Sequence, residues 1–154
     1  MKYILGVDTG NTNTVFGLFA PDGDFEILHH WRTVSRRDRT SDELGIFLIG
    51  FLQTAGIAVE SIGGFLYSSV VPSFNPIVER MARDYFHCSA LRVSHDLSMG
   101  LEYDYPRPDE IGADRLVNAV AAHTLYGGDL IVIDMGTATT FCKLHGNRYQ
   151  GGCI

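Results

Sequence analysis

The sequence has few lysines and lacks the common nucleotide-binding loops, and these shortages exclude several classes of protein. The chain has 154 residues and a net charge of −6, and Lys2 and Lys143 are its only lysines. It contains no Gly-Lys pair of the P-loop type and no GxGxxG pattern after an apolar run. Arginines cluster within residues 32–39, but acidic and hydroxyl residues interrupt them, which favours a solvated loop. We therefore expect no nucleic-acid partner.

Cysteines and long apolar runs are also scarce. The three cysteines, Cys88, Cys142 and Cys153, form no closely spaced pair and leave an odd count. This usage fits a reducing cytosol better than a disulfide scaffold, and we expect all three to be small core residues. No apolar run is long enough to cross a membrane, and Asp8 interrupts the first run too early for a signal peptide. The sequence predicts a cytoplasmic protein with no membrane partner.

One short pattern occurs twice in the chain. Residues 8–14 read Asp-Thr-Gly-Asn-Thr-Asn-Thr, and residues 134–140 read Asp-Met-Gly-Thr-Ala-Thr-Thr. Each follows an apolar run, so each predicts an acid where a buried strand enters a tight turn. Such a carboxylate can hold a cation, and the glycine lets backbone N–H groups approach an anion. One copy by itself is better explained as a hairpin turn, whereas two suggest a duplicated fold that binds a nucleotide with Mg²⁺.

The order of predicted elements indicates an α/β protein. Three strands joined by turns, the second turn at 21–24, precede alternating helices and strands, which gives the order βββαβαβα. A mixed sheet of this order covered by helices is typical of a ribonuclease H-like (actin-like ATPase) domain. The predicted strands are 3–8, 14–20, 25–33, 65–71 and 91–93. Helices are predicted at 41–55 and 111–126, and a further helix between them contains Ile77, Met81, Tyr85 and Phe86.

The last part of the sequence repeats the beginning of the first. Residues 139–144 and 148–154 predict a hairpin that follows the second Asp loop, as the opening hairpin follows the first. Gly127 and Gly128 mark the best boundary. We expect a first ribonuclease H-like domain at 1–127 and the opening strands of a second, incomplete one at 128–154.

An acid and a base are adjacent in the first turn of the last predicted helix. Asp114 and Arg115 can be explained as a charge that complements the helix dipole and a surface arginine. Gly112 is unfavourable at a helix start unless something approaches the backbone there. An ionised Asp at this position could instead accept a proton from a hydroxyl, which a small-molecule kinase requires. Tyr103 and Tyr105, in the preceding loop, fit either surface packing or one wall of a substrate pocket.

Four segments, in this order along the whole chain, resemble the type III pantothenate kinases of the actin-like ATPase superfamily. They are 8–14, 68–72, 112–119 and 134–140. The resemblance implies ATP-dependent phosphorylation of pantothenate to 4′-phosphopantothenate, the first step of coenzyme A biosynthesis. It also implies a homodimer in the full-length form.

The resemblance further implies a role for each matching residue. Asp114 would be the general base, and Asp8 and Asp134 would bind metal: Mg²⁺ at Asp8 and a monovalent cation, K⁺ or NH₄⁺, at Asp134. The residues facing ATP would be Asp8, Gly10, Asn11, Thr12 and Thr137. The residues lining pantothenate would be Tyr103, Gly112, Arg115 and Asn11.

The sequence departs from the family pattern in three ways. The stretch 103–112 is longer than usual, so Tyr105 could take the role of Tyr103. Cys142 stands where many members have an Asp. Members also continue well beyond Ile154, so we expect this chain to be the N-terminal portion of the enzyme and nearly inactive by itself. The alternatives are a regulatory protein like the Bvg accessory factors and another actin-like small-molecule kinase.

Overall fold

The chain forms two compact units. A computed structural model describes residues 2–20 and 26–154, so the predicted turn at 21–24 lies outside the described residues. The units divided by internal contacts are Met1–Arg92 and Val93–Ile154. The expected domains 1–127 and 128–154 rest on a different criterion, because each is one copy, complete or incomplete, of the ribonuclease H-like fold. This division stays a prediction.

The first unit is built on a mixed sheet, as the sequence predicts. The strand order is β3-β2-β1-β4-β5, with β1 antiparallel to β2 and parallel to β4. Alternate residues of β1 and β2 are buried, and most of them are apolar: Leu5, Val7, Phe16 and Leu18. The strands are β1 (Tyr3–Thr9), β2 (Asn13–Phe19), β3 (Ile27–Val34), β4 (Ile62–Ser69) and β5 (Ala90–Arg92).

Two helices of the first unit share a core with this sheet. Helix α1 (Ser41–Thr54) begins with the predicted capping box, in which Glu43 N–H donates to Thr40 Oγ1 at 3.1 Å and Thr40 N–H donates to Glu43 Oε2 at 2.8 Å. Helix α2 (Asn75–Phe86) follows β4. The core contains residues of the strands and both helices, among them Leu5, Val7, Phe16, Leu44, Leu48, Val78 and Met81.

Arg39 is buried, although we expected the arginines of residues 32–39 to lie in a solvated loop. Its Nη1 donates to Thr33 Oγ1 at 2.9 Å, and its guanidinium lies 4.8 Å from the ring centre of Phe47. The cation–π contact and the hydrogen bond compensate for burial of the charge. Arg36 and Arg37 remain exposed, as expected.

The second unit packs helix α3 (Ala113–Tyr126) against a smaller sheet of order β6-β9-β8-β7. The helix ends at Gly127, whose φ of +61° is unfavourable for other residues, so the predicted Gly-Gly boundary does terminate the helix. The strands are β6 (Glu102–Tyr103), β7 (Asp129–Met135), β8 (Thr139–His145) and β9 (Arg148–Cys153). The core is formed by Val93, Ile111, Leu116, Ala119, Cys142, Leu144 and Tyr149.

Two local expectations for this unit are corrected. Tyr103 does not lie wholly in a loop, because β6 pairs in parallel with β9. Cys153 is exposed and so is not a core residue, since it lies at the last position of β9, whereas Cys142 is buried and Cys88 half-buried. All three cysteines are free. Among the described helices, none is long and apolar enough to span a membrane.

Candidate functional site

The first Asp loop joins β1 to β2. Asp8 is exposed near the end of β1, and Asn11 and Thr12 are exposed in the turn. Gly10 N–H donates to Asn13 O at 2.9 Å, which closes the turn. A Cβ at Gly10 would lie 3.3 Å from this carbonyl, so the turn is tight at the glycine, as the sequence predicts.

The end of β3 supports this loop from the side. Ser35 N–H donates to Thr12 O at 2.8 Å, and the hydroxyls of Ser35 and Thr14 are 2.8 Å apart. Both backbone and side chain of Ser35 therefore hold the loop. The loop presents exposed polar side chains on a fixed backbone, which is suitable for binding an anion.

Two buried hydroxyls lie beside the end of β1. Ser68 is the partner of Asp8 in the parallel pairing of β1 and β4, and Thr9 follows Asp8. Neither Thr9 Oγ1 nor Ser68 Oγ has a hydrogen-bond partner among the described residues, although both atoms are buried. Buried hydroxyls are normally paired, so these two unpaired donors distinguish the end of β1 from the rest of the core.

The second Asp loop joins β7 to β8 in the second unit. Gly136 N–H donates to Ala138 O at 3.1 Å and closes a turn in which Thr137 is exposed. Asp134 is half-buried, and its Oδ2 accepts a hydrogen bond from Asn118 Nδ2 at 3.0 Å. The loop is thus anchored to helix α3 through the acid itself.

Helix α3 carries the adjacent acid and base. Gly112 is the residue before the helix, and Asp114 lies in the first turn, half-buried. Asp114 Oδ1 accepts from the N–H of Arg115 at 2.8 Å. Asn118 follows Asp114 by one helical turn, so it lies on the same side of the helix. Through the bond from Asn118 to Asp134, the structure brings the helix start and the second Asp loop together within one unit.

Arg115 contacts the β8–β9 hairpin. Its Nε donates to Cys142 Sγ at 3.1 Å, and Tyr149 O–H donates to the same sulfur at 3.4 Å. Burial lowers the pKa of Arg115, but the hydrogen bond and charge interaction with Cys142 outweigh burial, so the pKa is raised. The pKa of Tyr149 is also raised, chiefly by burial and then by its bond to Cys142.

Tyr103 and Tyr105 have different surroundings. The hydroxyl of Tyr103 is buried and has no hydrogen-bond partner within the described part of the chain, and burial raises its pKa. The ring of Tyr105 packs edge-on against Tyr149, 6.3 Å between ring centres. A Cβ at Gly151 would lie 3.1 Å from the Tyr105 ring. Tyr105 is therefore a packing residue, and Tyr103 has the donor that lacks a partner.

The donor set at the two loops consists of oxygen atoms. No group of three or more His, Cys, Asp or Glu side chains that could hold a metal occurs in residues 2–20 and 26–154. One carboxylate at each loop, with hydroxyls and carbonyls nearby, fits a hard cation that shares its remaining positions with phosphate and water. The residues are thus compatible with Mg²⁺ but not with a closed all-protein metal site.

The structure groups some of the predicted residues and not others. Asp114, Arg115, Asp134 and Tyr103 belong to the second unit, and Asp8, Gly10, Asn11 and Thr12 to the first. Their expected convergence on one cleft stays a prediction. The sequence analysis missed Asn118 and Tyr149. Asn118 could have been found from its one-turn spacing after Asp114, but no local signal marks Tyr149.

The chain matches one protein family along nearly all of its length. The sequence model described as type III pantothenate kinase matches residues 4–154. The proteins named type III pantothenate kinase from Geobacillus kaustophilus and Geobacillus thermodenitrificans are each 45% identical over 152 residues, which is 98% of this chain. The chain spans 58% of the length of these relatives.

Solved structures support the fold alone. A protein from Sinorhizobium meliloti, provisionally named a 2-dehydro-3-deoxygalactonokinase, matches 98% of this chain and 52% of its own, with a TM-score of 0.56 and 16% identity. A protein from Porphyromonas gingivalis, provisionally named an N-acetylglucosamine kinase, matches 97% of this chain and 47% of its own, with a TM-score of 0.52 and 19% identity. Together with the mixed sheet, these matches confirm the predicted ribonuclease H-like, actin-like fold.

Proposed function

Because the chain belongs to the type III pantothenate kinase family, we propose that it takes part in the ATP-dependent phosphorylation of pantothenate to 4′-phosphopantothenate. This reaction is the first step of coenzyme A biosynthesis. The observation that carries the proposal is the arrangement on helix α3. A half-buried Asp114 lies at the helix start, and one turn later Asn118 binds Asp134 of the second Asp loop.

Asp114 is the general base in this proposal. Its position in the first turn of α3 places the carboxyl group at the end of the helix that carries a partial positive charge. The hydrogen bond from Arg115 N–H engages Oδ1 and orients the carboxyl group. In the reaction Asp114 accepts the proton of the pantothenate hydroxyl as that oxygen attacks the terminal phosphate. The other products are ADP and a proton.

The two Asp loops hold the phosphates and cations of the reaction. Asp8, Gly10, Asn11 and Thr12 in the first loop and Thr137 in the second face ATP. Asp8 would hold Mg²⁺ and Asp134 a monovalent cation, K⁺ or NH₄⁺, and these charges would compensate for the few lysines of the chain. When bound, the divalent cation supplies charge neutralisation at the phosphates.

The residues that we propose contact pantothenate are Tyr103, Gly112 and Arg115 of the second unit and Asn11 of the first. The buried hydroxyl of Tyr103, which lacks a partner in the described residues, is suited to donate to a polar group of the substrate. The positive charge of Arg115 is suited to the carboxylate of pantothenate. Gly112 leaves the backbone at the helix start accessible.

The proposal extends to location and assembly. Consistent with the three free cysteines, we place the protein in the cytoplasm. The partners are ATP, pantothenate and a second copy of the full-length protein, with no nucleic acid or membrane involved.

Replacement of the proposed base tests this function. In the full-length protein, Asp114→Asn keeps the Oδ1 acceptor for Arg115 N–H but cannot accept the substrate proton. We expect kcat to fall about 10²- to 10⁴-fold with little change in the KM for pantothenate. ADP release that depends on pantothenate is the measurement. Asp109→Asn, which removes a nearby exposed acid, is the matched control and should retain activity.

The possible outcomes test the proposed substrate and the proposed role of Asp114 separately. If the unmodified protein releases ADP with a sugar or acetate but not with pantothenate, the proposed substrate is wrong. If pantothenate supports turnover and the Asp114→Asn variant retains this activity, pantothenate is the substrate but Asp114 is not the general base.

A further inference from the structure

Three groups of the β8–β9 hairpin hold the guanidinium of Arg115. Its Nε donates to Cys142 Sγ at 3.1 Å, and its Nη2 donates to the carbonyl of Phe141 at 3.4 Å. Its central carbon lies 5.9 Å from the ring centre of Tyr149. The orientation of this charge is therefore set by the sheet and not by helix α3, on which the residue lies.

Cys142 is buried and contacts both of the other side chains, Arg115 and Tyr149. Its side chain is 2% exposed, and its sulfur accepts from both Arg115 Nε and Tyr149 O–H, the latter at 3.4 Å. The Tyr149 side chain is itself fully buried. Two donors from different elements thus meet at one sulfur atom, which fixes their geometry relative to each other.

A sulfur acceptor affects the charge of Arg115 differently from a carboxylate. Sulfur accepts hydrogen bonds weakly, whereas a carboxylate forms a strong ion pair with a guanidinium. Cys142 therefore orients Arg115 while compensating less of its positive charge. The remaining charge is available to an anionic ligand.

The backbone of β9 also makes room for this arrangement. Gly152 is paired with Cys142, and a Cβ at Gly152 would lie 2.5 Å from Arg115 Nη2 and 1.8 Å from the carbonyl oxygen of Phe141. No other residue fits here without moving the guanidinium or the strand. Glycine at this position is thus a second, independent feature that accommodates the bound arginine.

We propose that Cys142, assisted by Tyr149, is a positioning residue that holds the Arg115 guanidinium in the orientation that receives the carboxylate of pantothenate. This inference rests on the proposed function, because it assigns Arg115 to the anionic end of that substrate. It explains why a buried cysteine of the hydrophobic core of the second unit lies against an arginine.

Kinetic analysis of variants of the full-length protein tests the positioning role. In Cys142→Ala the Nε–H loses its acceptor, and we expect the KM for pantothenate to rise about tenfold, the cost of one hydrogen bond to a charged group. The KM for ATP should change less than about twofold and kcat only slightly. Cys142→Ser restores a neutral acceptor and should return the KM for pantothenate to near its original value. Cys153→Ala, which removes an exposed thiol at the end of β9, is the matched control.

A second variant covers the case in which Cys142→Ala does not fold. Tyr149→Phe keeps the buried ring and removes only the O–H that donates to the sulfur, so we expect a rise of about threefold in the KM for pantothenate alone. An unchanged KM in the folded variants, an equal rise in both KM values or a failure of Cys142→Ser to rescue would overturn the inference while leaving the proposed function intact. Absence of pantothenate-dependent turnover in the unmodified protein would overturn both.

Discussion

The two Asp loops have the same first residues in Asp-x-Gly but differ in the number of residues between the last paired positions of their strands. In the first, the last paired residues are Thr9 and Thr14, so residues 10–13 form the connection. In the second, Met135 pairs with Thr139, and residues 136–138 form it. The second connection is therefore one residue shorter, although Asp and Gly keep the same spacing in both. The spacing of Asp and Gly fixes how each turn begins, and the residues that follow fix where the next strand starts.

The strands that carry the loops differ more than the loops do. Strand β1 pairs with β2 on one side and β4 on the other, whereas β7 is at the end of its sheet and pairs only with β8 among the described strands. Every second residue of β7 is exposed, and three of these four residues are apolar: Ile131, Ile133 and Met135, with Asp129 as the fourth. Similar sequences thus form a central strand in one unit and an edge strand in the other, because the partner strand and not the strand itself decides the environment.

The largest effect should come from comparing the two acids directly. In the full-length protein, we expect Asp8→Asn to lower kcat/KM for ATP by at least about 100-fold, since it removes the charge proposed to hold the divalent cation. Asp134→Asn should lower it about tenfold and mainly change the response to K⁺, because the amide can keep a bond with Asn118. ADP release at varied Mg²⁺ and K⁺ is the measurement.

A surface acid of the first unit serves as control for this pair. Glu60→Gln removes one exposed negative charge and should leave both cation responses unchanged. Equal losses in Asp8→Asn and Asp134→Asn would mean that the two loops are functionally equivalent, which would contradict the assignment of different cations.

The next effect concerns how closely each unit is packed. A Cβ at Gly152 in the second unit would meet a backbone carbonyl at 1.8 Å, whereas one at Gly45 in α1 would meet the ring of Tyr85 at 2.7 Å. A backbone cannot move as a side chain can, so we expect Gly152→Ala to lower the free energy of unfolding by about 3 kcal/mol and Gly45→Ala by about 1 kcal/mol. Urea titration of the full-length protein is the measurement.

Gly50 is the matched control for Gly45 because it lies in the same helix, and a Cβ added there would have no atom within 4 Å. Gly50→Ala should raise the free energy of unfolding by about 0.5–1 kcal/mol, since alanine favours the helix. A Gly152→Ala variant as stable as the original protein would show that the β8–β9 hairpin can relax, and that the close approach does not constrain Arg115.

The smallest effect should distinguish the two loop glycines. A Cβ at Gly10 would lie 3.3 Å from Asn13 O, and one at Gly136 would lie 3.6 Å from Ala138 O. We expect Gly10→Ala to raise the KM for ATP several-fold and Gly136→Ala less, each with a loss of unfolding free energy of less than about 1 kcal/mol. A larger effect on the KM for ATP at Gly136 would reverse the proposed order of the loops in phosphate binding.

Much of the local structure was predictable because its causes lie within a few residues. The capping box at Thr40 and Glu43 and the helix end at Gly127 depend on hydrogen bonds and backbone angles next to the residues concerned. The sequence analysis likewise placed Asp114 in the first turn of a helix. It did not detect the parallel pairing of Tyr103 in β6, since this pairing depends on Tyr149, far along the chain. It also did not detect the burial of Arg39, whose partners Thr33 and Phe47 are near in sequence but belong to a strand and a helix that only packing brings together.

By itself, the sequence determined that two acids follow apolar strands, that a third begins a helix, and that the elements between them alternate as in a ribonuclease H-like fold. Only the tertiary structure decided that Asn118 binds Asp134, that Arg115 rests on Cys142 and Tyr149, and that β7 lies at the edge of its sheet. The physical reason is the separation along the sequence between the residues that interact. Turns and helix ends are set by neighbouring residues, whereas the partner of a strand or of a buried charge comes from a distant segment that packing brings into contact.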